Sequence, residues 1–345
     1  MGTQNITLSG EEYNLVKTSK DNSGSVFYYK KKGGINGAII RKTPTGDIIK
    51  YFQSDSNAYL SKGSKLESPT HIIKNTTAPL ELTKTLQFSK SVAPVIFKTN
   101  NTFNNSTNAT SPFIIDDNEV TISVVVDFNT LKEMWSRQGA WGLTPKEQIQ
   151  TGIDLANITL LNSGITDFSY KLQEIIYLNA FESSDQISRF IGGDNQGGSN
   201  TNIALALGKQ NADRVIFALP QKLMGSFIGL APRWQFKEAN ESEGFIYSQF
   251  YDRTLQIGAG AFPLNAIAHE LGHTLGLGHE RGNNRVDYDF ATPYGFTSLG
   301  DTATTMSYGV ACDEYCKSRP DIFSNPTVEH LGEKMGVTEE YVNAA

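Results

Sequence analysis

The segment that most constrains this chain is Ala266–Arg281, AIAHELGHTLGLGHER. His269 and His273 are four residues apart, and on a helix that spacing stacks both imidazoles on one face, within reach of one ion. Glu270 follows His269 and is turned about 100° around the helix axis. That offset makes it a poor third ligand and a good acceptor for the proton of a water held beside the ion. Gly276, three residues after His273, is a natural helix stop, because glycine accepts positive φ. The chain then turns back and brings His279 to the same ion. Three neutral imidazoles and one open position form the donor set of a catalytic zinc site. The short H-E-x-x-H pattern alone suits many amphipathic helices. The longer pattern, with its glycine and third histidine, is far more specific, and it holds three of the chain's five histidines.

Composition narrows what can surround such a site. A length of 345 residues suggests about two domains. With 39% hydrophobic and 10% aromatic residues the chain can build a core and is not wholly disordered. Lys and Arg number 30 against 36 Asp and Glu, a net charge of −6 that argues against nucleic acid as a partner. Thr121–Phe128 and Ala261–Ala268 are among the strongest apolar runs and are too short to span a membrane as helices. Met1–Asn5 has neither the basic start nor the apolar stretch of a signal peptide. Either the chain is cytosolic or its signal has been removed.

Three regions are expected. Residues 1–97 read as a small β-rich domain: Ser25–Lys30, Gly37–Arg41 and Asp47–Phe52 are β-prone runs separated by Gly- and Pro-containing turns. Residues 98–118, rich in Asn, Thr and Ser, read as an exposed linker open to proteolysis. Residues 119–345 alternate. Val120–Phe128 is a strand buried on both faces, and Thr144–Ser163 is a helix with Thr144 as N-cap, Pro145 in the first turn and Glu147 completing a capping box. Lys171–Asn179 and Arg214–Leu219 are further strands and Ser199–Lys209 a further helix. Gly225–Leu230 and Phe245–Tyr251 are weaker strand candidates, and Thr338–Ala345 a terminal helix. The alternation predicts an α/β layer on a mostly parallel sheet.

HELGHTLGLGH resembles the zinc signature of the metzincin metallopeptidases. Thr304–Tyr308, TTMSY, resembles that family's Met-turn, in which Met306 forms a hydrophobic floor beneath the zinc ligands. The strand–helix–strand run before the signature, and Phe323–Pro326 after the turn, are similar to reprolysin (adamalysin)-type catalytic domains. Glu280 after the third histidine and Tyr308 after the Met-turn are instead similar to astacins. The resemblance covers about Glu119 to the C-terminus. It implies an α/β (α+β) metzincin-type catalytic domain with a mostly parallel twisted sheet, an active-site helix and a Met-turn, preceded by the small β-rich domain. It also implies one catalytic Zn2+ on His269, His273 and His279, Glu270 as general base, and Tyr308 as a fifth ligand or oxyanion donor. An oxidising compartment follows from the family, and in it Cys312 and Cys316 form a disulfide; the other reading is two free thiols.

The activity implied is a secreted, monomeric zinc endopeptidase acting on proteins or peptides. A β-rich region, a cleavable linker and a catalytic domain in that order imply a zymogen in which residues 1–97 are an inhibitory prodomain. A cysteine switch is excluded, since both cysteines follow the Met-turn. The alternatives are an N-terminal accessory binding module and, for the whole chain, a non-catalytic binding protein on a metallopeptidase scaffold. Calcium is not predicted: Gly192–Gly198 contains one acidic residue, Asp194, too few oxygen ligands for a calcium loop.

Overall fold

The structure is a computed structural model. It describes residues 5–53, 57–67, 71–74, 119–136, 142–178, 212–220, 229–230, 254–258, 266–275, 277, 279, 302–307, 320–330 and 332–336. The expected elements at 98–118, 199–209, 245–251 and 338–345 lie outside these residues.

The N-terminal region forms one antiparallel meander of seven strands in sequence order: β1 (Asn5–Leu8), β2 (Glu11–Asp21), β3 (Gly24–Lys31), β4 (Gly37–Lys42), β5 (Ile48–Gln53), β6 (Asn57–Gly63) and β7 (His71–Lys74). Strand alternation sorts its side chains into two faces. Val26, Tyr28, Ile39, Ile49, Tyr51 and Leu60 gather on one. Tyr13, Tyr29, Ala38, Ile40 and Phe52 gather on the other.

The second sheet holds β8 (Glu119–Asp127), β9 (Ser169–Leu178), β10 (Arg214–Leu219), β11 (Gly229–Leu230) and β12 (Thr254–Gly258), in the order β11-β12-β10-β8-β9. The pairs β9–β8, β8–β10 and β10–β12 are parallel, and β11 joins β12 antiparallel. Ile122 to Asp127 are buried without interruption, the burial expected of a central parallel strand. A hairpin of β13 (Asn325–His330) and β14 (Glu333–Met335) closes the described chain.

Helix α1 (Phe128–Ser136) follows β8 directly. Helix α2 (Pro145–Asn162) begins at Thr144, whose side chain accepts from the Glu147 backbone while Glu147 reaches back to the Thr144 N–H. That reciprocal cap satisfies two otherwise orphaned donors. Only Lys146, Glu147 and Leu161 of α2 escape full burial. The helix is packed on all sides although its buried residues are not all apolar: Gln148 donates to the Met134 and Leu143 carbonyls and Asn157 to the Tyr170 carbonyl. Ile149, Ile153, Ala156 and Leu160 face the core of the parallel sheet, together with Ile122, Val124, Val126 and Ile216. Leu155 and Ile158 face the N-terminal meander. Gly37 of β4 lies so close to Ile158 that a side chain there would collide with it. The two sheets therefore share α2 as a common layer.

Candidate metal centre

Helix α3 (Ala266–Thr274) is held by Ala266, Ile267, Ala268 and Leu271, all buried in the core that α2 also fills. This fixes the outward direction of the remaining helix face, which carries His269 and His273. The helix closes by Leu277 donating its N–H to the Gly272 carbonyl at 3.0 Å. That six-to-one bond ends a helix and redirects the chain. Gly276 lies outside the described residues.

The chain then brings His279 back to the helix. The three rings stand with centroids 4.9 Å (His269–His273), 5.1 Å (His269–His279) and 4.6 Å (His273–His279) apart. One nitrogen from each lies within 4.8 Å of the others. His269 Nδ1 is 2.7 Å from the Thr305 carbonyl and His273 Nδ1 is 2.8 Å from the Leu277 carbonyl. A carbonyl only accepts, so each Nδ1 carries the proton and each lone pair resides on Nε2, the tautomer that coordinates a metal. His269 Nε2 and His279 Nε2 are 3.1 Å apart. Two basic nitrogens at that separation need a proton or a cation between them.

Glu270, on the same helix, is 4% exposed. Its Oε2 is buried with no hydrogen-bond partner among the described residues. Burial pushes its carboxyl up to about 8. A divalent cation held by the neighbouring histidines would pull in the opposite direction, toward the carboxylate.

Residues 302–307 pass beneath the helix. Ser307 donates its N–H to the Thr304 carbonyl at 2.9 Å, forming a turn, and Thr305 N–H donates to the Ile322 carbonyl at 2.8 Å. Met306 is fully buried. Its sulfur and the Phe323 ring lie against Gly272, where a Cβ would meet both.

The structure thus brings His269, Glu270, His273, His279 and Met306 to one place. Tyr308, Cys312, Cys316, Glu280 and Gly192–Gly198 fall outside the described residues. Three contributors are not evident from the motif. Thr305 orients His269, Phe323 supports the helix from below, and Gly272 permits the approach of both Met306 and Phe323. A glycine in the middle of α3 is the available signal, since an interior helix glycine costs stability and calls for a packing reason.

No known family profile and no curated protein matches the chain. Among solved structures the chain is similar to one described as "Structure of a chaperone-substrate complex", at 19% identity, over 66% of this chain and 36% of that one, with a TM-score of 0.42. The chain spans little more than a third of that protein's length. No described helix is long and apolar enough to cross a membrane.

Proposed function

We propose that this protein is a zinc-dependent endopeptidase of the metzincin kind. The observation that carries the reading is the meeting of three imidazoles, two with Nδ1 fixed on backbone carbonyls, beside a buried carboxyl with an orphaned oxygen. The donor set fits zinc: three imidazole nitrogens, two of them on rings whose outer hydrogen bonds are in place. His269, His273 and His279 would hold the ion. When bound, zinc supplies Lewis-acid polarisation of a water and of a peptide carbonyl.

The chain's own residues supply the rest. Glu270 accepts the proton of the attacking water and delivers it to the departing amine, so the peptide bond breaks without a covalent enzyme intermediate. Its burial keeps competing water from the carboxyl. Met306 and Phe323 hold the helix that carries two of the ligands. Tyr308, two residues after Met306 in the sequence, is by the family resemblance the fifth ligand or the hydrogen-bond donor to the developing oxyanion. Strand β11 is antiparallel to β12, contacts α3, and is the edge of its sheet among the described residues. An extended peptide pairs there through main-chain hydrogen bonds.

Chelation tests the reading. Removal of metal with 1,10-phenanthroline abolishes cleavage of an unstructured protein substrate, and one equivalent of Zn2+ restores it. Restoration without stoichiometric zinc, or with His273→Ala in place of wild type, contradicts it. A zinc-loaded chain that binds peptides without cutting them favours the binding-protein alternative.

A further inference from the structure

The N-terminal meander is bound to the rear of the candidate metal centre by two polar anchors. At the first, Arg41 of β4 is buried against α2. Its Nε and Nη2 donate to the two oxygens of Asp154 at 2.7 and 2.8 Å, and Nη1 and Nη2 donate to Asp21 at 2.8 and 2.9 Å. Separating meander from helix would leave Asp154, 3% exposed, without its charge partner.

The second anchor reaches the metal-site floor. Tyr51 of β5 donates to Asp321 Oδ2 at 2.6 Å, and the Asp321 N–H donates to Gln53 Oε1 at 3.0 Å. Ile35, between β3 and β4, is buried with Ile322 and Met335. The next residue along from Asp321 is Ile322, whose carbonyl accepts from Thr305 at 2.8 Å, and Phe323 lies under Gly272. The Thr305 carbonyl in turn holds His269 Nδ1 at 2.7 Å. A continuous path of bonds therefore runs from Tyr51 through Asp321, Ile322 and Thr305 to His269.

We propose that residues 5–74 are a permanent rear clamp on the metal-binding unit, with Tyr51 and Asp321 as positioning residues for His269, and not a segment that must leave for the site to work. The positioning half rests on the metal-centre reading above; the clamp does not. The clamp makes the N-terminal meander and residues 119–336 partners that stay joined without the connecting chain. Outer-shell partners of metal ligands commonly change affinity by about 10–100-fold. Tyr51 acts through three further residues, so the expected change is about three- to tenfold.

The test uses the full chain with a specific protease sequence inserted within residues 98–118. After cutting, the two pieces are passed through gel filtration in native buffer, and Co2+ is titrated by its visible absorption. The clamp predicts co-elution until denaturant is added. It also predicts Co2+ affinity weakened about three- to tenfold by Tyr51→Phe and by Asp321→Asn. Lys62→Met removes a contact to Glu147 at the far end of α2, 2.9 Å long and off this path, and leaves Co2+ affinity unchanged. Release of the N-terminal piece in native buffer overturns the clamp. Wild-type affinity in Tyr51→Phe, or equal weakening in Lys62→Met, overturns the positioning role. A wild-type chain that binds no Co2+ while its pieces co-elute defeats the metal-centre reading and the positioning role, and supports the clamp.

Discussion

The sulfur of Met306 fills the space that a side chain on Gly272 would need. The glycine and the methionine are 34 positions apart in the sequence, and the Phe323 ring closes on the same glycine. Gly272→Ala gains up to about 1 kcal/mol of helix propensity. It also overpacks a core in which Met306 and Phe323 are fully or almost fully buried, at a cost of about 1–3 kcal/mol. The expected net result is a lower unfolding midpoint and weaker zinc binding. Adding Met306→Ala makes room, so the double variant should be less destabilised than the two single effects summed, a coupling that denaturant titration of all four proteins measures.

Arg41 and Asp154 form the most deeply buried ion pair among the described residues, each side chain 3% exposed. Arg41→Met leaves the Asp154 carboxylate buried without its counter-charge and is expected to cost about 3–5 kcal/mol. Arg41→Met with Asp154→Leu removes the buried carboxylate as well and should recover part of that loss, the remainder reflecting Asp21, which loses its Arg41 partner in both variants. Urea midpoints of the three proteins decide it. Equal destabilisation in the single and double variants would show that packing, not charge, holds the meander to α2.

Asp321 gives stability a dependence on pH. Burial raises its carboxyl from 3.8 to about 7, partly offset by the hydrogen bond from Tyr51. An acid that holds its proton more tightly folded than unfolded favours the folded state at low pH. Its contribution is complete below pH 3.8, the unfolded value, and is lost as pH rises through about 7. Between pH 4 and 8 the melting temperature of wild type should therefore fall relative to Asp321→Asn, which has no proton to lose. Parallel curves would place the proton elsewhere.

How much of this was legible beforehand depended on the range of the interaction. The meeting of His269 and His273 could be read because four-residue spacing on a helix is a local geometric fact, and the α2 cap could be read because Thr144 and Glu147 are three residues apart. β2 was not read: its Lys, Glu and Asn residues leave Tyr13 as its single buried side chain, so no apolar run marks it. α1 was not read either. Its buried residues are Thr130 and Met134, too few to interrupt the strand signal that runs into Phe128. β12 is not marked by the sequence: Thr254–Gly258 is a short segment whose pairing with β10, far away in the chain, identifies it. The hydrogen bond from Tyr51 to Asp321 joins residues 270 positions apart. Nothing local in either segment announces it.

Glu270→Gln isolates the chemistry from the scaffold. The amide keeps the shape of the side chain and cannot take a proton. Peptide cleavage at full zinc occupancy should fall by about 10²–10⁴-fold, while the melting temperature does not fall, because a buried carboxyl with an orphaned oxygen is being replaced by a neutral group.

The most direct test of the central claim is mass spectrometry of a mixed peptide library incubated in H2(18)O with zinc-loaded wild type and, in parallel, with Glu270→Gln. The account predicts internal cleavages in the wild-type sample, each new carboxyl terminus carrying one 18O, and almost none with the variant. No new termini from wild type at confirmed zinc occupancy, or equal cleavage by both proteins, would contradict it.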